Sequence, residues 1–436
     1  MATQVCARWR TILIASPFLW TKVDFSDIMR ASTFIERSGP ALIDVSVAKS
    51  RSFLGPEAIF LGAIPWVDKM RSLYIHAEEE QIKTMAKRLC HPTPNLQSLI
   101  IKGQPSRFQS PARTGCAIYI PHEFLGRHAP SLQSLTFSSI SPSVVFSFPL
   151  PKLTNIDWVA ETAHVAIEEL LELLASSPLL EVIRMHVRAR RTRAFEPLVG
   201  VTLHNLRKLD WGDCEGPISL AACIITPQLN DLTLRVTNNP PNPPMTLSAI
   251  LPTQPCQFPL LLEPDSLKYT YQYGSRSCRF TYDKATFFLR EVAVSRTANH
   301  NIDRWFSSDT PMSFAKTVEL TVEASGGCPP LDDIPIELFY GLRTLVLAGE
   351  TSALIPMIRP QYGVSRTSVT VPCPSLSEVW ITPRSVSFPL SILAEVLRER
   401  REAGYGVKTV RIWEKRECVD AEIRELGNFV ENLVVA

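Results

Sequence analysis

Residues 96–101 read LQSLII, a Leu-x-x-Leu-x-Leu phrase whose apolar residues are Leu96, Leu99 and Ile101. Close variants of this phrase return about twelve times along the 436-residue chain. The last two apolar residues are two positions apart and lie on one face of a short strand, and the first enters the same core from the preceding turn. A strand this short cannot bury its apolar face alone, so the recurrence predicts stacked repeats.

The other clear copies have three apolar positions each, which we expect to form the core. They are Met70, Leu73 and Ile75; Leu132, Leu135 and Phe137; Leu153, Ile156 and Trp158; Leu180, Ile183 and Met185; Leu206, Leu209 and Trp211; Leu229, Leu232 and Leu234; Ala315, Val318 and Leu320; Leu342, Leu345 and Leu347; Leu376, Val379 and Ile381; Val407, Val410 and Ile412. A degraded copy begins at Leu267.

Successive copies begin 21 to 48 residues apart, which leaves room for a return segment after each strand. Apolar stripes at helical spacing predict helices over residues 78–90, 163–176 and 387–403. Strand followed by helix, repeated, predicts an α/β solenoid with parallel strands on the concave face and helices and irregular segments on the convex face. A (β/α) barrel also alternates strand and helix, but it has eight units and strands buried on both faces. Twelve copies with polar residues between the apolar ones argue against it.

The composition is typical of a folded, soluble protein. The chain is 45% apolar and 20% charged with a formal net charge of +2, which argues against general disorder and against nucleic acid as a partner. No apolar stretch is long enough to span a bilayer, so we expect no membrane association. The ten cysteines are scattered singly without a Cys-x-x-Cys pair, as in reduced intracellular proteins of the cytoplasm or nucleus. Without a catalytic or metal-binding motif, we expect no enzyme activity, no metal site and no cofactor.

The N-terminal segment carries the second clue. Residues 5–25 read VCARWRTILIASPFLWTKVDF, and their pattern predicts a helix that ends before Pro17. The segment resembles the C-terminal half of an F-box, where a helix bearing Val-Cys-x-x-Trp leads into Pro-x-Leu-Trp. The apolar helix that begins the family's motif, with Leu-Pro-x-Glu, has no counterpart in the sequence. Residues 34–47 resemble the link into the repeats of fungal F-box-like proteins, which commonly carry irregular leucine-rich repeats.

This resemblance implies a partner for the N-terminal segment. In the family, the F-box helices grip the Skp-type adaptor subunit of a ubiquitin ligase. Carried over to this sequence, the resemblance assigns adaptor contact to Val5, Cys6, Trp9, Leu13, Pro17, Leu19 and Trp20. The other interpretation of the segment is an N-terminal capping helix that seals the first repeat.

The domain organisation follows from these patterns. We expect four parts: a partial F-box-like helical segment over residues 1–27, a linker and N-terminal cap over 28–66, irregular leucine-rich repeats over 67–416 with a Pro-rich insertion at 238–264, and a C-terminal capping helix over 417–436.

The residues that alternate with the apolar positions of each strand face the opposite side of the sheet. Large aromatic and arginine side chains contribute most of the binding energy at interfaces. We therefore take mainly residues of these types on this face as candidate partner-binding residues. These are Tyr74, Arg184, His186, Trp380, Arg411 and Trp413. Alternatively, a last helix over residues 419–434 covers the two tryptophans.

Two segments of biased composition each have two possible interpretations. Residues 184–193 read RMHVRARRTR, which is either a phosphate or nucleic-acid patch or a solvated loop after a strand. The Pro-rich insertion either presents an extended polyproline ligand or lengthens one repeat.

Two functions fit the sequence. In the first, the chain is the substrate receptor of a Skp-cullin-F-box type ubiquitin ligase: the N-terminal segment docks the adaptor and the repeats select an unknown protein target. In the second, the chain is a stand-alone leucine-rich-repeat scaffold without a ligase role.

Overall fold

The computed structural model describes residues 6–48, 56–104, 123–138, 148–190, 200–212, 223–238, 266–272, 275–282, 285–293, 316–325, 336, 339–349, 355–362, 369–382, 390–413 and 420–435. These residues form two compact units, the first ending at Gln228 and the second beginning at Leu229. Both units combine helices with a large sheet in which parallel pairing predominates, so the predicted α/β class is confirmed.

The sheet of the first unit consists of eight strands that pair in chain order, all parallel. In that order they are β1 (Lys22–Asp24), β2 (Ile43–Ala48), β3 (Met70–Glu78), β4 (Ser98–Gln104), β5 (Ser134–Ser138), β6 (Asn155–Ala166), β7 (Val182–Arg190) and β9 (Lys208–Gly212), while β8 (Val201–Thr202) and β10 (Ile224–Ile225) form a separate parallel pair. Within the described ranges, β1 pairs with β2 alone. The sheet is therefore open at this edge and does not close into a (β/α) barrel.

The helices of this unit begin and end at identifiable signals. They are α1 (Ala7–Ile14), α2 (Ile28–Ser38), α3 (Pro56–Ala63), α4 (Glu79–Arg88) and α5 (Ile167–Ala175). The Asp27 carboxylate accepts the Arg30 N–H at 3.1 Å to cap α2, and Glu78 and Gln81 form a reciprocal capping box on α4. The helix predicted at 78–90 is confirmed. The one predicted at 163–176 begins only at Ile167, because β6 continues to Ala166.

The core of this unit lies between the apolar face of the sheet and these helices. The three predicted apolar positions of each copy from Met70 to Trp211 are at most 4% exposed. On α5, the apolar stripe at Ile167, Leu170, Leu171, Leu173 and Leu174 is buried as well. We call the opposite side of each sheet, where side chains are half-buried or exposed, the polar face.

One turn recurs before the strands of both units. The N–H of the first apolar residue donates to the carbonyl three residues earlier, as from Leu96 to Thr93 at 3.2 Å and from Leu376 to Cys373 at 3.1 Å. The next residue donates to its counterpart in the preceding copy. These bonds run from Gln97 to Arg71, Gln133 to Gln97, Thr154 to Gln133, Glu181 to Thr154 and Arg207 to Glu181 in the first unit, and from Arg343 to Val318, Ser377 to Arg343, Lys408 to Ser377 and Glu431 to Lys408 in the second. Neighbouring copies are thus joined in register.

In the part of the second unit that the structure describes, the sheet has nine strands, and its parallel pairing is interrupted once. In chain order they are β11 (Asp231–Asn238), β12 (Ser266–Gln272), β13 (Ser275–Tyr282), β14 (Ala285–Ala293), β15 (Glu319–Ser325), β16 (Thr344–Gly349), β19 (Glu378–Thr382), β20 (Thr409–Ile412) and β21 (Asn432–Val435). Strand β13 is antiparallel to both β12 and β14, and the other pairs within this sheet are parallel. The prediction of uniformly parallel strands is wrong at β13, because short connections fold β12, β13 and β14 into a meander.

Within the described ranges, the second unit also contains two α-helices, a 3₁₀ turn at Pro356–Ile358 and a small strand pair. Helix α6 spans Leu390–Glu402, as predicted, and α7 spans Asp420–Gly427. Strands β17 (Gln361–Tyr362) and β18 (Val369–Thr370) form a separate antiparallel pair. The fully buried Arg400 of α6 donates to the carbonyl oxygens of Ile358, Pro372 and Cys373, each at 2.8 Å. Burial lowers the pKa of this guanidinium from its usual value.

One copy of the repeat needs a different frame. Val318 was predicted in the core, but it is 42% exposed and its carbonyl accepts the N–H of Arg343. Thr317, which is fully buried, takes the first position of this copy, and Leu320 and Val322 complete it. The frame therefore lies two residues later than predicted, because a threonine stands where a leucine is expected.

Two predicted domain boundaries also differ from the structure. The C-terminal helix predicted over 417–436 ends at Gly427, and Asn432–Val435 pair parallel with β20 as a further strand. Residues 28–66, predicted as linker and cap, contribute β2 to the sheet, and β1 arises from the segment predicted as F-box-like. The Pro-rich residues 239–264 and residues 191–193 of the basic run lie outside the described residues, whereas residues 184–190 of that run belong to β7 rather than to a loop.

Candidate functional site

Helix α1 and the following 3₁₀ turn, Pro17–Trp20, present apolar side chains to solvent. The Cys6 thiol caps α1 by accepting the Trp9 N–H at 3.4 Å, and none of the helix residues is buried. We call the exposed set the N-terminal apolar surface. Its members are Trp9 (57% exposed), Ile12 (46%), Ile14 (41%), Phe18 (82%) and Leu19 (56%).

Trp20 fixes this segment to the rest of the first unit. Its indole N–H donates to the Leu13 carbonyl at 2.8 Å, which ties the turn back to α1. Its ring meets the Phe34 ring edge-on at 5.0 Å between centroids, and the Arg37 guanidinium lies 4.6 Å from its centre. Trp20 is half-buried by these contacts, so it orients the N-terminal apolar surface on α2.

The other residues assigned to adaptor contact are distributed around this surface. Cys6 is exposed beside Trp9, whereas Leu13 and Pro17 are half-buried. Val5 lies outside the described residues. Three exposed members of the surface, Ile12, Ile14 and Phe18, were not assigned from the resemblance, although all three follow from the apolar sequence on either side of Pro17.

A charged cluster occupies the polar face of the first unit. Arg184 on β7 stands between Asp157 and Asp210 on the neighbouring strands, with nitrogen to oxygen distances of 3.9 and 3.7 Å. His186 Nε2 lies 3.1 Å from Asp210 Oδ1, a geometry that needs the tautomer with hydrogen on Nε2. Asp210, which is 7% exposed, therefore serves both basic residues.

Gly212 leaves room for the His186 ring beside this cluster, because it has no side chain. A Cβ at this position would lie 3.0 Å from Cδ2 and 3.1 Å from Cγ of His186. The imidazole therefore packs against the backbone of β9, where it reaches Asp210.

Tyr74 lies on β3 of the same sheet and is not part of the charged cluster, which lies on β6, β7 and β9. Its ring is half-buried, 6.2 Å from the His76 ring, and the Lys102 ammonium lies 5.8 Å from its centre. This distance is compatible with a cation–π contact.

Trp380, Arg411 and Trp413 come together on the polar face of the second unit. Arg411 pairs in register with Trp380, and its guanidinium lies 5.1 Å from the indole centre. The Trp380 indole N–H donates to Glu378 Oε2 at 2.9 Å. Trp413 is 46% exposed and follows Arg411 by two residues, so alternation directs its side chain to the same face.

The alternative in which a last helix buries both tryptophans is wrong for Trp413. Helix α7 packs against α6 and leaves Trp413 nearly half-exposed. Trp380 is half-buried through its contacts with Arg411 and Glu378. A further residue of this area, Val434 on β21, is 44% exposed and pairs in register with Arg411. The sequence interpretation missed Val434 because it placed this segment in a helix.

The structure also bears on other site classes. No group of three or more His, Cys, Asp or Glu residues within the described ranges is arranged to hold a metal ion. None of the helices in the part of the chain that the structure describes is both long and apolar enough to cross a bilayer. No protein-family model matches the chain, and a search of curated proteins finds no match either.

Proposed function

We propose that this chain is a leucine-rich-repeat substrate receptor of a Skp-cullin-F-box type ubiquitin ligase. In this proposal, the N-terminal apolar surface docks the Skp-type adaptor and the polar face of the sheets holds a protein target. The chain supplies binding and geometry, while another subunit performs the covalent chemistry. The F-box part of the proposal rests on the sequence resemblance of residues 5–25, and the relationship to fungal F-box-like proteins rests also on residues 34–47.

The observation that carries the adaptor part is the exposure of the N-terminal apolar surface. Trp9, Phe18 and Leu19 are each more than half exposed, although they belong to a segment that Trp20 holds in one orientation. Exposed apolar side chains that form a contiguous set mark interaction sites. A capping helix that served only to seal the sheet would bury such residues.

The repeated turn supports the leucine-rich-repeat part of the proposal. Each copy is joined to its neighbour by a backbone bond at the same position, such as Gln133 to Gln97. Two asparagines just before the first apolar residue reinforce this link: the Asn95 amide donates to the Asp68 carbonyl at 2.7 Å, and that of Asn205 to the Pro178 carbonyl at 3.1 Å. Repeats joined in this manner are typical of a solenoid, and this regular linkage supports that part of the proposal.

The test is binding of a purified Skp-type adaptor to the intact chain, measured by calorimetry. We expect Trp9→Ala/Leu19→Ala to weaken adaptor binding by roughly 30-fold or more, since each lost anchor contributes about 1 to 2 kcal/mol. The matched control is Tyr340→Ala/Leu179→Ala, which also removes one exposed aromatic residue (62%) and one exposed leucine (46%) but far from α1 in sequence. The control should bind the adaptor normally.

The scaffold function is the second candidate. It is favoured by the clusters around Arg184 and Arg411, which use no residue of the N-terminal segment. If the intact chain fails to bind the adaptor at micromolar concentration, the receptor function is refuted and the scaffold function remains.

A further inference from the structure

Arg411 has an unusual environment for a charged residue on the polar face of a sheet. Its register neighbours are Trp380 on β19 and Val434 on β21, and Trp413 follows two residues later, directly after the end of β20. The arginine is therefore flanked by apolar side chains on three sides. Its side chain is 40% exposed.

Within the described ranges, this guanidinium makes no hydrogen bond. The nearest carboxylate oxygen, Glu378 Oε2, lies 4.0 Å from Nε, which is too long for a hydrogen bond. That oxygen already accepts the Trp380 indole N–H at 2.9 Å. Among the residues that the structure describes, Arg411 Nε has no hydrogen-bond partner. The structure likewise shows no hydrogen bond from the terminal N–H groups of Arg411 to any residue in the described ranges, and the side chain is 40% exposed.

A guanidinium stacked on an indole is held flat with little loss of side-chain entropy on binding. Its terminal N–H groups match the two oxygens of a carboxylate, and a desolvated apolar rim strengthens such charge-assisted bonds. The same rim offers Trp380, Trp413 and Val434 as contacts for an apolar side chain. Trp and Arg are also the residue types that most often dominate binding energy.

We infer that Arg411, with Trp380, Trp413 and Val434 around it, binds an Asp or Glu side chain of an extended protein segment that has an apolar residue beside the acid. The carboxylate takes the terminal N–H groups of Arg411, and the apolar neighbour packs on the exposed face of Trp413. The charge of Glu378 orients the guanidinium through Nε and leaves the opposite edge for the ligand. This inference rests on the proposed capture of a protein target by the polar face, and it specifies the chemistry of the captured segment.

The test uses three fluorescein-labelled nine-residue peptides that are identical except at the centre, where Glu, Gln or phosphoserine stands between two leucines. Fluorescence anisotropy with the full chain measures their dissociation constants. We expect the Glu peptide to bind about tenfold more tightly than the Gln peptide, the difference that one charge-assisted contact provides. Replacing both leucines with serine should weaken binding of the Glu peptide by a further factor of about ten.

Three variants connect the preference to this site. Arg411→Gln should abolish the difference between the Glu and Gln peptides, and Arg411→Lys should retain only part of it, because lysine keeps the charge but not the planar fork. Lys408→Gln is the matched control: it removes one exposed positive charge from the same strand region and should keep the full preference.

Several results would overturn the inference. These are equal binding of the Glu and Gln peptides, binding of neither, tight binding of the phosphoserine peptide alone, or a loss of preference in Lys408→Gln equal to that in Arg411→Gln. Adaptor binding by Arg411→Gln is measured in parallel and should be normal. A failed peptide preference with intact adaptor binding refutes only this site, whereas a failed adaptor test refutes the receptor function.

Discussion

Arg184 and Arg411 occupy the same position of the repeated phrase, between its second and third apolar residues, yet their environments differ. Arg184 lies between the carboxylates of Asp157 and Asp210, at 3.9 and 3.7 Å. Arg411 lies against the Trp380 ring, with Val434 on its other side. Arg184 therefore has two carboxylates within 4 Å, whereas Arg411 has one, Glu378 at 4.0 Å, together with an indole ring and an apolar register neighbour.

The difference shows that register neighbours, rather than the residue type, decide what a polar-face side chain can do. Two carboxylates face the half-exposed Arg184 side chain within the fold, so we expect its replacement to change stability more than binding. In the second unit, the apolar neighbours orient Arg411 without using its terminal N–H groups, so its replacement should mainly change binding. The predicted partner-binding role of Arg184 and His186 stays a prediction.

The largest effect should come from removing the carboxylate that Arg184 and His186 share. Asp210→Ala leaves both basic groups without their common acceptor at a site that is 7% exposed, so we expect a loss of about 2 to 3 kcal/mol in the free energy of unfolding. Urea denaturation measures it. Asp157→Ala is the control, because its carboxylate is 34% exposed and should contribute less than about 1 kcal/mol. Equal losses in the two variants would contradict a shared role for Asp210.

Replacing either tryptophan of the second unit should reduce the free energy of unfolding by a smaller amount, and the two losses should differ. Trp380→Ala removes the ring that supports Arg411 and a hydrogen bond to Glu378, and we expect a loss of about 1 to 2 kcal/mol. Trp413→Ala removes a ring that is 46% exposed, and the free energy of unfolding should change by less than about 0.5 kcal/mol. Thermal unfolding of both variants tests the difference. A large loss in Trp413→Ala would show that this residue belongs to the core.

The sequence could predict the parallel strands, because their apolar positions are regular and mostly leucine. The same regularity explains the error at Thr317, where a threonine takes the position of the first leucine and Val318 offered a false match. The meander of β12, β13 and β14 could not be predicted from the phrase, since β13 and β14 do not contain it.

The candidate sites were harder to predict than the fold, because they depend on which strands become neighbours. The exposure of the α1 side chains could be expected from the sequence, because this helix has an apolar face and precedes the first repeat. The pairing of Arg411 with Val434 needs β21, a strand that the sequence interpretation placed in a helix. The contacts of Asp210 with both Arg184 and His186 likewise depend on the register of β7 against β9. This register cannot be predicted from the sequence of either strand alone.

The smallest effect concerns a third arginine, Arg71, which makes a direct pair with Asp44 on the neighbouring strand. Arg71 donates to the Asp44 carboxylate at 3.0 and 2.6 Å, and Ser72 donates to it at 2.8 Å. The hydrogen bonds from Arg71 lower the pKa of Asp44 against the opposing effect of burial, and Ser72 lowers it further. A carboxyl whose pKa is lower in the folded chain stabilises the fold above its unfolded pKa of about 3.9 and loses that contribution as the pH falls through the folded value.

Asp44→Asn should therefore reduce the free energy of unfolding by about 0.5 to 1 kcal/mol at pH 7, the range of a partly exposed ion pair. The difference from the unaltered chain should shrink as the pH falls below about 4, because the native carboxyl then takes up its proton. Urea denaturation at pH 7 and at pH 3 measures both values, with Asp157→Asn as a control for loss of a more distant carboxylate. A difference that is the same at both pH values would mean that packing around Asp44, rather than its charge, stabilises this strand pair. In that case the Arg71–Asp44 pair would contribute to stability through packing, as the neighbours of Arg411 do. It would not contribute through charge, as expected for the cluster around Arg184.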